Sequence, residues 1–115
     1  MIEIVSESRC VGCGLCVKVC PMNVFDARED GVPVIARLGD CQTCFVCEAY
    51  CPADALYVSP LADELEHADE QALDERGALG SWRAQIGWGV GRRPNMAERD
   101  TSHILNTIRP VRNRG

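Results

Sequence analysis

The sequence predicts a small α+β domain with internal two-fold symmetry, followed by an extended C-terminal arm. Three observations carry this reading: a cysteine motif repeated at a fixed offset, short β-like runs spaced around it, and a change of composition after residue 60. At 115 residues one domain is the natural expectation, and a second full domain would be cramped.

The repeat organises the first half. Cysteines stand at 10, 13, 16 and 20 and again at 41, 44, 47 and 51, so each set reads C-x2-C-x2-C-x3-C-P, closed by Pro21 and Pro52. The offset is 31 residues throughout, and the match continues past the cysteines, with PMNVF (21–25) aligning on PADAL (52–56). Such an internal duplication implies two structural halves related by an approximate two-fold axis. Short strands are predicted at Ile2–Val5 and Ala55–Val58, pairing as first and last elements. A second hairpin is predicted to join Val24–Asp26 to Val34–Ala36 across residues 28–31, a polar turn containing Gly31. Each interval between third and fourth cysteine (16–20 and 47–51) suits a short helical turn, stopped by the proline that follows.

A cubane iron–sulfur cluster presents four irons, each needing one thiolate, and three cysteines at x2 spacing lie on one tight loop that can wrap a face of it. Structural zinc also uses C-x2-C units, but as two pairs separated by a longer loop; four cysteines within eleven residues, twice over, fit it poorly. A disulfide framework belongs to secreted chains, and the N-terminus here has no basic region followed by an apolar run. A cytoplasmic location is therefore expected. No stretch approaches the roughly 20 apolar residues of a membrane-spanning helix.

Residues 1–60, with every cysteine and both following prolines in place, resemble the bacterial-type two-cluster ferredoxins. The resemblance implies two [4Fe–4S] clusters and a crossed ligand arrangement. Cys10, Cys13, Cys16 and Cys51 would hold one cluster, and Cys41, Cys44, Cys47 and Cys20 the other. All eight positions are filled, so a three-iron cluster is not implied. Gly12 and Gly14 in the first loop permit positive φ and close approach to the cluster. The second loop has Gln42, Thr43, Phe45 and Val46 there and no glycine. Either its cluster is more tightly covered, or both loops fold alike and the glycines merely ease packing.

Everything needed to hold two clusters ends near residue 59, and the remainder reads differently. Residues 1–60 carry a net charge of −4, residues 61–75 carry seven acids and no base, and residues 76–115 carry eight arginines against Glu98 and Asp100. Such asymmetry points to segments with separate jobs. Residues 61–76 place Leu61, Leu65, Ala68, Ala72 and Leu73 near helical spacing, an acidic helical linker. Residues 80–94 are too glycine-rich for a helix and too aromatic for an inert linker. A last short helix is predicted over Ser102–Arg109, capped by Thr101 or Ser102 and ended before Pro110.

Trp82, Ile86 and Trp88 have no evident place in a core of sixty residues already filled by clusters, and Trp and Arg are enriched at interface hot spots. Residues 77–115 therefore read as an extended arm that lies along a partner protein, with Trp82, Ile86, Trp88, Arg92 and Arg93 as contacts. In architecture the arm loosely resembles that of the iron–sulfur β subunit of adenylylsulfate reductase, which pairs with a flavoprotein. The first cysteine set lacks that subunit's insertion, so the same substrate is not implied. The expected role is electron transfer as the iron–sulfur subunit of a flavin-containing oxidoreductase; the alternative is a freely diffusing carrier with a regulatory or tethering tail. The net charge of −5 and acidic neighbouring segments speak against nucleic acid as the partner. There is no G-x-G-x-x-G, no phosphate-binding loop and no nucleophile paired with a base, and His67 and His103 read as surface residues.

Overall fold

The computed structural model describes residues 1–95. Two antiparallel two-stranded sheets frame the cysteine loops. Strand β1 (Ile2–Val5) pairs with β4 (Leu56–Val58), aligning Ile2 with Val58 and Val5 with Leu56, with an irregularity at Glu3. Strand β2 (Phe25–Ala27) pairs with β3 (Pro33–Ile35). The turn between them uses Gly31 at φ +85°, with its Cα against Gly12 of the first cysteine loop. Helix α1 (Leu15–Val19) and helix α2 (Val46–Tyr50) each follow two cysteines, carry the third and are capped by the fourth. These elements form the expected α+β domain with short paired strands and short helices, each strand within a residue or so of the predicted one.

The core lies between the two cysteine loops and is built from both halves: Ile2, Val24, Phe25, Ala55, Leu56 and Val58 pack with Cys16, Cys47 and Cys51. It is too small to hold sixty residues by hydrocarbon alone, which is why thiols form part of it.

Beyond Pro60 the chain doubles back. Of the acidic linker, residues 61–69 are irregular and only Glu70–Glu75 is helical (α3), capped by Asp69, whose carboxylate accepts from the Ala72 N–H at 3.2 Å. The irregular stretch is pinned by Glu3, which accepts from the Glu66 N–H at 2.7 Å and the Ala68 N–H at 3.1 Å. A second core then forms on the outer face of the β1–β4 sheet, where Tyr57, Leu73 and Leu79 are buried together beside Ile4 and Ala68. Strand β4 is consequently buried on both faces, Leu56 and Val58 toward the cysteines and Tyr57 toward the tail.

The glycine-rich segment corrects the expectation that residues 80–94 form no helix. Ser81–Gln85 is helical (α4), because the glycines sit at its flanks. Gly80, at φ +69°, is the N-cap, donates its N–H to the Leu56 carbonyl at 2.9 Å and passes so close to Asp54 that a Cβ would stand 2.5 Å from its side chain. The described part of the arm, residues 77–95, thus lies along the domain instead of extending from it. The helix predicted over Ser102–Arg109 lies outside the described residues.

Candidate metal centres

The two cysteine loops have the same backbone path. Left-handed φ values recur at each offset of 31: Gly12 (+71°) and Thr43 (+54°), Gly14 (+73°) and Phe45 (+61°), Asn23 (+55°) and Asp54 (+52°). The second loop therefore reaches the glycine conformation without glycine, at a cost of about 1–2 kcal/mol for each non-glycine residue. The two loops thus fold alike, and they differ in what covers the chamber, Phe45 in the second where the first has Gly14.

Each loop opens onto a chamber completed by the last cysteine of the other half. Cys10, Cys13, Cys16 and Cys51 line the first with Pro33, Ala53 and Leu56; Cys20, Cys41, Cys44 and Cys47 line the second with Ile2, Val24, Phe45 and Val58. The atom-free spaces, about 340 and 330 Å³ with their mouths, are nearly equal, as duplication requires. Among the described residues no three His, Cys, Asp or Glu side chains converge on a point as a single ion requires. Four thiols around a chamber suit a polynuclear centre.

Backbone amides point at the sulfurs in a pattern that follows the repeat. The Val24 N–H donates to Cys20 Sγ at 3.4 Å and its repeat-mate, the Ala55 N–H, to Cys51 Sγ at 3.3 Å. The Ile2 N–H donates to Cys41 Sγ at 3.4 Å, but its repeat-mate is Pro33, which has no N–H; Cys10 Sγ accepts from the Gly12 N–H at 3.4 Å. Such bonds favour negative charge on sulfur. Against them, burial pushes the Cys16 thiol up to about 11 and the Cys47 thiol higher still. Binding a metal centre therefore displaces protons from these sulfurs. Cys13 and Cys44 occupy matching exposed positions at the outer rims.

One polar residue of the site was not foreseen. Glu48 is fully buried beside the second loop, accepting from the Val58 N–H at 3.2 Å and the Trp82 N–H at 3.0 Å, and burial pushes its carboxyl up to about 7. The signal was present in the repeat: the position 31 residues earlier is Val17, so an acid stands where the other half has an apolar residue.

Most of the residues assigned to a partner have places within the chain. Trp82 tilts against Phe45 with ring centroids 5.1 Å apart, and Trp88 meets Tyr50 edge-on at 5.2 Å. Arg92 pairs with Asp54, and Arg83 donates to the Ala49 carbonyl. Ile86 is half-buried at the end of α4, and Arg93 is exposed. The expectation that these side chains have no work inside the domain is corrected for Trp82, Trp88 and Arg92, although both indoles keep about two-fifths of their surface in water, at 37% and 42%. Phe45, Tyr57, Val58, Arg76, Trp82 and Gln85 line an open groove whose atom-free space with its mouth is about 1040 Å³, and Phe45 and Val58 also line the second chamber.

The family model for the 4Fe-4S dicluster domain matches residues 9–55. An uncharacterized ferredoxin of Methanocaldococcus jannaschii is 45% identical over 62 residues, which is 98% of that protein and 52% of this chain. A ferredoxin of Methanothermococcus thermolithotrophicus is 43% identical over 56 residues, covering 92% of its length and 47% of this chain. Ferredoxin-3 of Nostoc is 30% identical over 76 residues, 78% of its length and 51% of this chain. No described helix is long and apolar enough to cross a membrane.

Proposed function

This chain belongs to the ferredoxins of the two-[4Fe–4S] type, and we propose that it serves as the electron-transfer subunit of a larger, flavin-containing oxidoreductase. Its two [4Fe–4S] clusters supply one-electron redox chemistry. Cys10, Cys13, Cys16 and Cys51 hold the first and Cys20, Cys41, Cys44 and Cys47 the second. The crossover makes each half depend on the other for its fourth thiolate, so the centres also close the fold. The N–H groups of Gly12, Ile2, Val24 and Ala55 stabilise thiolate charge, while Phe45, Val58, Leu56 and Pro33 keep water from the inner faces. Substrate chemistry belongs to the partner.

The observation that carries the subunit reading is the folded layer of residues 61–95. The Methanocaldococcus ferredoxin is matched over nearly its whole length by about half of this chain, so a cluster carrier of this type manages without such a layer. Here the layer presents Trp82 and Trp88 half-exposed, with Arg83, Arg92 and Arg93 nearby in sequence and no acid between residues 76 and 95. Tryptophan and arginine on one surface form the composition of an interface hot spot. The same near-complete match favours the second reading, a freely diffusing carrier. Anaerobic purification from the native cell separates the two. A subunit elutes with a flavin-coloured protein in fixed ratio and loses it when Trp88 is replaced by alanine; a free carrier elutes brown and monomeric.

A further inference from the structure

Duplication alone would give two equivalent centres, and the loops come close to it: equal chambers, matched left-handed residues, and two side-chain sulfurs bonded by backbone N–H in each set. Among the positions at which the second half differs from the first, five touch the C-terminal segment through a side chain or carbonyl as follows. Gly14 becomes Phe45, against Trp82; Val17 becomes Glu48, which accepts the Trp82 N–H. Lys18 becomes Ala49, whose carbonyl takes Arg83, and Val19 becomes Tyr50, against Trp88. Asn23 becomes Asp54, paired with Arg92. At Gly14 an added Cβ would meet nothing within 4 Å, so the first loop has open space where the second has two rings in tilted contact.

We infer that Trp82 is a positioning residue that, by seating Phe45 over the second chamber, keeps the cluster of Cys20, Cys41, Cys44 and Cys47 drier than its twin and at a lower reduction potential. Reduction adds a negative charge to a centre already ligated by four thiolates, and placing added charge in a poorly hydrated site is unfavourable. Phe45 and Val58 line both the groove and the chamber, so removing the indole should bring water to the Phe45 ring and removing the ring should bring it to the sulfurs. An electron entering the protein therefore rests preferentially on the first cluster.

The inference rests on the proposed ligand sets, and one experiment separates the two. In the loaded full-length chain, cysteine β-proton resonances shifted by the clusters are assigned residue by residue and followed through an anaerobic redox titration. If Cys20 titrates with Cys10, Cys13 and Cys16, the ligand sets are wrong and this inference falls with them. With the sets as proposed, the Cys20/Cys41/Cys44/Cys47 group should reduce at the lower potential. Trp82→Ala should raise that group alone, moving the electron's distribution between clusters by about threefold or more (about 28 mV for one electron). Trp82→Phe should restore most of the difference, and Val90→Ala, on the same segment but fully exposed, should leave it unchanged. Phe45→Gly, which copies the first loop at a backbone angle glycine accepts, should move the same group in the same direction even if Trp82→Ala loosens the segment. Equal potentials in the parent chain, or both groups moving together in Trp82→Ala or Phe45→Gly, would overturn it.

Discussion

Residues 1–60 and residues 61–95 are held by different means. The first region is organised from inside: its core residues pack on cysteines, and each half lends the other a thiol. The second is held from outside, by acids of the first region that receive it. Glu3 takes the Glu66 and Ala68 amides, Glu48 takes the Trp82 amide, and Asp54 takes Arg92, while Arg9 reaches out to Asp74. Tyr57 and Ile4, on the outer face of β1–β4, supply the apolar part of the seat. The first region keeps every thiol to itself, while the second is seated on the first and covers Tyr57 in return.

The largest test of that asymmetry is Cys51→Ala. It should abolish the cluster at Cys10, Cys13 and Cys16, leave the thiol set around Cys41, Cys44 and Cys47 loaded, and halve the iron content; loss at the second set instead would reverse the assignment. Truncation after Pro60 should be milder. Both clusters should form, because every thiol lies upstream, but the domain should lose on the order of 5 kcal/mol as Tyr57 is uncovered and Leu73 and Leu79 are removed. A truncated chain that cannot retain its clusters would show the dependence to be mutual.

Single anchors come next. Glu48→Ala removes the acceptor for two amides in a fully buried position and should cost about 2–3 kcal/mol, read as a lower midpoint in denaturant with iron content unchanged. Glu48→Gln, which keeps an acceptor oxygen, should cost less. The smallest effect is expected at Gly80→Ala, where a Cβ at φ +69° has no room beside Asp54; about 1–2 kcal/mol should be lost from the docking of α4. Amide exchange should show this as faster opening at residues 80–88 and no change at β2 and β3.

The same contrast explains how much could be read from the residues. A repeat at fixed offset fixes spacing, loop path and pairing of halves, so the strands, the two helical turns and both cysteine sets were legible. Thr43 and Phe45 hid the likeness of the loops, since neither residue signals a left-handed backbone. The layer after Pro60 was not legible because its helices are five and six residues long and its glycines do work at the flanks. Local propensity says little about so short a helix; tertiary packing decides it. Trp82 and Trp88 were read as anchors for a partner, and the rings they meet in the structure, Phe45 and Tyr50, belong to their own chain.

What the eight thiols bind decides the protein's role most directly. Anaerobic purification followed by iron and acid-labile sulfide analysis should give about eight of each per chain, with the broad absorbance near roughly 400 nm that thiolate-to-iron charge transfer produces. Stoichiometric zinc, with no sulfide and no such absorbance, would contradict it.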